Sequence, residues 1–85
     1  MKTFNSTIID ELGIHARPAG MLVKTAKELD SEITIKKGDK TAGALKLMMI
    51  MGLGVKKGDT VVVTNDGDDE EKSYTAMKDF FESNL

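Results

Sequence analysis

The period at which apolar residues recur switches back and forth along these 85 residues, and that switching leaves few folds open. Residues 3–9 alternate, with Phe4 and Ile8 on one face and Thr3, Asn5 and Thr7 on the other. This predicts a half-buried strand, with Ile9 breaking the alternation. From Ala16 to Leu29 the period lengthens, and Ala19, Leu22, Val23, Ala26 and Leu29 fall on one face of a helix. Residues 32–36 alternate again with Ile33 and Ile35 inward, and Lys37-Gly38-Asp39 predicts a hairpin turn into a short strand over 40–42. Residues 44–51 hold one β-branched residue, Ile50, among leucines and methionines, so a short helix is expected, closed by Gly52 and Gly54. After a turn over 55–59, Thr60–Thr64 is the strongest strand signal. Its three successive valines predict a central strand buried on both faces or nearly so. Tyr74, Met77, Phe80 and Phe81 mark a last helix.

The order β-α-β-β-α-β-α predicts an α+β fold: a two-layer open-faced sandwich with helices on one face of a four-stranded antiparallel sheet and solvent on the other. Eighty-five residues suffice for one modest core, so residues 1–85 are expected to form a single domain.

Several chemistries are excluded by what the chain lacks. It has no cysteine, so disulfides and thiolate metal sites are out, and a single histidine rules out a histidine-cluster metal site. No metal or other cofactor is expected. The acidic run Asn65–Glu71 does not match the ligand spacing of a calcium-binding helix–loop–helix loop. It reads as a turn followed by an N-cap at Asp68 or Asp69, with acids favoured by the dipole of the next helix. A net charge of −2, one tyrosine and three phenylalanines argue against nucleic acid as a partner. No apolar run approaches the ~18 residues of a membrane span, and Met1–Ser6 lacks the apolar core of a signal peptide. A cytoplasmic monomer that is not inserted in a membrane is the expectation.

The chemistry concentrates in Gly13-Ile14-His15-Ala16-Arg17-Pro18-Ala19, which holds the only histidine, arginine and proline of the chain. Pro18 lacks an N–H and has a fixed φ, so it belongs in the first turn of the first helix. His15 is then the N-cap residue or its neighbour. Free N–H groups and the macrodipole make such a helix start an anion site, and the same field disfavours imidazolium, leaving a lone pair available to attack. Gly13 keeps the loop backbone open. A nucleophilic nitrogen, an anion site and the Arg17 guanidinium together point to phosphoryl transfer. Gly20, inside the helix, costs roughly 1 kcal/mol against Ala and suggests close approach by another group.

This heptapeptide resembles the active-site signature of the HPr family, the histidine-containing phosphocarriers of the phosphoenolpyruvate:sugar phosphotransferase system. Lys40-Thr41, the methionine-rich short helix, Leu53-Gly54 and Gly58 extend the resemblance over essentially the whole chain. It implies that His15 accepts a phosphoryl group on Nδ1 from phosphorylated enzyme I, itself charged by phosphoenolpyruvate. The group then passes to the A domain of a sugar-specific enzyme II, and the sugar is chosen by that partner. The N–H groups of Ala16 and Arg17 would meet the phosphoryl oxygens, with the Arg17 guanidinium adding a charge-assisted contact. Such a chain is a covalent relay rather than a stand-alone enzyme. The resemblance further implies a docking surface of Gly20, Lys24 and Lys27 on the first helix and Leu47, Met48 and Met51 on the short one; exposed Leu and Met suit an adaptable interface. The alternative is a regulatory interaction module on the same fold, signalling carbon status.

Two positions depart from the family pattern. The Gram-positive branch carries a regulatory serine at the start of the short helix, where this chain has Lys46, or Leu47 with a one-residue shift, and no serine lies between Ser31 and Ser73. Leu12 stands where the family more often has a small polar residue.

Overall fold

A computed structural model describes all of Met1–Leu85. Strands β1 (Lys2–Thr7), β2 (Glu32–Lys37), β3 (Lys40–Gly43) and β4 (Thr60–Asp66) form one antiparallel sheet in the order β1-β4-β2-β3. Helices α1 (Ala16–Lys27), α2 (Leu47–Gly52) and α3 (Glu70–Asn84) complete the expected order and cover one face of the sheet.

The alternation in each strand explains the layering. Phe4, Ile33, Ile35, Ala42, Val61 and Val63 point to the helices and are buried, and Val63 is paired with both Phe4 and Ile35. They meet Leu22, Ile50, Met77 and Phe81 from the helices in a contiguous core. Phe4 packs edge-to-face on Tyr74 at 5.4 Å and on Phe81 at 5.9 Å, the arrangement aromatic quadrupoles favour. On the opposite face Thr7 and Thr60 share a hydroxyl hydrogen bond of 2.9 Å across exposed positions.

Strand β4 is central, as its valines required, but it is buried on one face only. Val61, Val63 and Asn65 are buried while Val62 and Thr64 remain half-exposed, because no helix lies over that side. Its pairing continues to Asp66, two residues beyond the expected end. The hairpin turn is Gly38-Asp39 alone, with Lys37 paired to Lys40 and Gly38 at φ +58.

Residues 44–46 are a turn rather than the first residues of α2. The Ala44 N–H donates to the Ile33 carbonyl (2.8 Å), which keeps residue 44 tied to β2, and the Lys46 N–H closes a turn on the Gly43 carbonyl (3.0 Å). Helix α1 ends at Lys27, two residues short of Leu29.

The acidic run is a turn leading into α3, with Asp69 at the N-cap position. The Asp69 carboxylate makes no cap bond. It accepts the Asp30 N–H (2.9 Å), the Ser31 hydroxyl and the Ser73 hydroxyl (3.1 Å), and so ties the α1–β2 connection to the start of α3. The Ser31 hydroxyl first, then the Asp30 N–H, hold the Asp69 carboxyl down at about 2.

Candidate functional site

The stretch between β1 and α1 is clamped from three directions. The Leu85 carbonyl accepts the N–H groups of Ile9 (2.6 Å) and Asp10 (2.9 Å). Asp10 closes an Asx turn, its Oδ1 accepting the Leu12 N–H (2.9 Å) and its carbonyl the Gly13 N–H (3.0 Å). The Ile14 N–H donates to the Val55 carbonyl (3.2 Å), which ties this loop to the segment leaving α2. Gly13 sits at φ +66, and a β-carbon there would fall 2.1 Å from the Val55 oxygen, so glycine is required.

That clamp presents His15 as the N-cap residue of α1, in extended backbone at φ −103 and ψ −173. Its carbonyl accepts the Ala19 N–H (3.0 Å), the first bond of the helix. Pro18 is buried in the first turn, where its missing N–H costs nothing. His15 contributes no side-chain cap and no acid stands in the first turn, so the N–H groups of Ala16 and Arg17 have no partner within the chain. His15 is half-buried, whereas Ala16 and Arg17 are exposed. Arg17 forms no ion pair; the salt bridges of the protein lie at Met1–Glu70, Lys2–Glu71 and Lys37–Asp59.

His15 and Arg17 border a shallow depression of about 290 Å³ lined also by Asp10, Pro18, Met21 and Asn84. Chemically, the depression and the helix start beside it offer an imidazole, two unpartnered N–H groups at a positive helix end and one unpaired guanidinium, with the acidic Asp10 among the lining residues. That arrangement can receive a tetrahedral anion on the imidazole without a metal, and no group of three or more potential metal ligands occurs anywhere in the chain. Sequence reasoning missed Asp10, Met21 and Asn84. An Asx-turn signal at Asp10 was available; Asn84, from the far end of α3, has no local signal at all.

The other candidate residues spread outward from this point. Arg17, Gly20, Met21, Lys24 and Lys27 follow one face of α1, but Lys24 and Lys27 lie in its last turn, roughly 14 and 18 Å along the axis from His15. A β-carbon on Gly20 would meet nothing within 4 Å, so the close approach its presence suggested does not occur inside the chain. In α2 only Ile50 is buried; Leu47, Met48, Met49 and Met51 are exposed, as is Leu45 before it. Leu12 projects into solvent at 71% exposure, leaving its backbone N–H as its one polar tie. Lys46 is the N-cap residue of α2 and gives it no side-chain cap. No helix is long and apolar enough to cross a membrane.

Comparison with known proteins bears on the same residues. A family model described as "PTS HPr component phosphorylation site" matches residues 2–83. The phosphocarrier protein HPr of Lysinibacillus sphaericus is 39% identical over 77 residues, covering 91% of this chain and 88% of that protein. A crystal structure of an HPr from Thermoanaerobacter tengcongensis superposes with a TM-score of 0.92 at 41% identity, covering 98% of this chain and 93% of that one. A second crystal structure from that organism, an HPr dimer, matches with a TM-score of 0.77 at 41% identity, covering 98% and 95%.

Proposed function

This chain belongs to the HPr family of phosphocarriers of the phosphotransferase system, and on that footing we propose that His15 is its phosphoryl acceptor. The observation that carries the reading is the pair of unpartnered N–H groups at Ala16 and Arg17, set beside an unpaired guanidinium and an accessible imidazole. The Nδ1 lone pair attacks the phosphorus of phosphorylated enzyme I; the new P–N bond forms as the bond from phosphorus to the donor atom of enzyme I breaks, and that atom keeps the electron pair. The developing charge on the equatorial oxygens meets the two N–H groups and Arg17. In the second half-reaction the A domain of an enzyme II takes the group, and His15 leaves with its lone pair restored.

A carrier must not hold its cargo too tightly, so stabilisation has to favour the shared transition state over the resting adduct. Two N–H groups and one exposed arginine suit that requirement, and the Asp10 carboxylate on the wall opposes retention of a dianion. Enzyme I and the A domains dock, in this reading, on Gly20, Lys24 and Lys27 of α1 and on Leu47, Met48 and Met51 of α2. Residues 1–85 act as one cytoplasmic, monomeric carrier domain without a cofactor, choosing no sugar themselves.

The test is incubation with enzyme I and labelled phosphoenolpyruvate. Wild type should gain acid-labile label and His15→Ala none. Equal labelling of the two proteins would overturn the assignment.

A further inference from the structure

We propose that Met21, Met48, Met49 and Met51 form a peroxide-sensitive modification site, whose oxidation to sulfoxide closes the docking face and reduction reopens it. The inference rests on the docking role given above to α2 and its neighbours on α1.

With no cysteine in the chain, thioethers are its readily oxidised sulfurs. Their distribution is uneven. Met77 is fully buried between α3 and the sheet, and Met1, 73% exposed, is tied to Glu70 at the start of α3, while Met48, Met49, Met21 and Met51 are 77%, 54%, 43% and 37% exposed. One of the four lies at the site and the other three on the helix that packs against α1. Met21 lines the depression that holds His15 and Arg17. Helix α2 packs against α1, and the Met51 carbonyl accepts the N–H of Gly54 (3.3 Å). The next residue, Val55, accepts the N–H of Ile14 beside His15 (3.2 Å). Three of the first five residues of α2 are methionine, although leucine has the same helix propensity and a similar volume.

The oxidant is a two-electron peroxide. A sulfur lone pair attacks one peroxide oxygen, the O–O bond breaks as the S–O bond forms, and the other oxygen leaves as water after proton transfer. Sulfur loses two electrons and the peroxide gains them. A dithiol-dependent sulfoxide reductase reverses the step: the oxygen leaves as water and the dithiol becomes a disulfide. A sulfoxide places a strong acceptor on a face otherwise apolar. Burying it beneath a partner with no donor opposite should cost about tenfold in capture per modified residue. Only Ile50 of α2 reaches the core, so the fold does not register the change.

The experiment exposes the full chain to hydrogen peroxide, maps sulfoxides by mass spectrometry, and measures labelling by enzyme I before oxidation, after it, and after sulfoxide reductase with dithiol. Met48 should oxidise first and Met77 last. Labelling should fall at least about tenfold and return on reduction. In a variant carrying Met21→Leu, Met48→Leu, Met49→Leu and Met51→Leu, the ratio of treated to untreated labelling should stay near one. Full labelling of the oxidised wild type, loss that reductase does not restore, or an equal loss in the variant would each overturn the proposal. If untreated wild type takes no label, the carrier reading falls by itself. The sulfoxide map then decides the modification site alone: oxidation of the four ahead of Met77 sustains it, and equal oxidation ends it.

Discussion

The Val55 carbonyl oxygen occupies the space beside Gly13 so closely that a β-carbon on residue 13 would lie 2.1 Å from it. This contact, with the neighbouring Ile14–Val55 hydrogen bond, sets the distance between the loop that carries His15 and the segment that leaves α2. Gly13→Ala must therefore move one of the two backbones and also place alanine at positive φ. The expected loss is roughly 2–4 kcal/mol in urea unfolding. Phosphoryl transfer should slow further in the fraction that remains folded. Unchanged unfolding would remove the structural role assigned to the contact.

Arg17 has no ion pair to lose, so its replacement should act on chemistry alone. Arg17→Ala should slow transfer from enzyme I by about 10–100-fold, the worth of one charge-assisted contact. Its unfolding midpoint should stay within experimental error. Arg17→Lys should fall between, keeping the charge but losing the planar fork. Single-turnover quench-flow measurement distinguishes the three.

Gly20→Ala offers a test in which stability and function move in opposite directions. The added methyl meets nothing within 4 Å, and alanine suits the helix interior, so stability should rise by about 0.5–1 kcal/mol. If partners seat against the bare backbone at Gly20, affinity for enzyme I should fall in the same protein. A titration showing unchanged affinity would remove Gly20 from the docking surface.

Asp69 predicts a specific acid limb. Its carboxyl is held at about 2, below its ordinary 3.8, by Ser31 and Asp30 first. A group whose value is depressed in the folded state adds stability that is complete above its unfolded value and is lost as pH falls through the folded one. The loss should therefore run from about pH 4 down to about pH 2. Asp69→Asn should be less stable than wild type at pH 6 and should show a shallower fall over that window in urea titrations. Asp59 and Glu70, also held low, leave a residual slope in the variant.

The start of α2 predicts that the serine switch is absent. Lys46 is the N-cap residue and residues 44–52 contain no hydroxyl, so the kinase that phosphorylates a serine there in Gram-positive relatives has no acceptor. Incubation with that kinase and ATP should leave the peptide spanning 44–52 unlabelled by mass spectrometry. Label there would refute the prediction.

What could be read from the chain alone divides along the range of the forces involved. The alternations of β1 and β2 and the apolar face of α1 report backbone geometry, and that needs only neighbouring residues. The start of α1 was legible because Pro18 constrains its own φ. The three valines of β4 predict burial on both faces or nearly so, and this fails because no helix lies over Val62. The N-terminal limit of α2 depended on the Ile33 carbonyl claiming Ala44, eleven positions away. The acidic run predicts an N-cap at Asp68 or Asp69; Asp69 holds the position, yet its main partners are Ser31 and Asp30 across the fold. Within the site, the imidazole, the guanidinium and the helix start stood in one heptapeptide, while Asn84 reached the depression only through tertiary structure.

The pairing of β1 with β4 joins residues 2–7 to residues 60–65, and the His15 loop leans on Val55. A ribosome thus releases the histidine long before it releases the strand and the carbonyl that shape its surroundings. Helix α1 can begin to form locally, but the turn at Gly13 has nothing to close against until the second half of the chain arrives. An unfinished chain therefore carries the imidazole without the site. If His15 is the acceptor proposed above, only chains folded through Val55 and β4 present it in this setting.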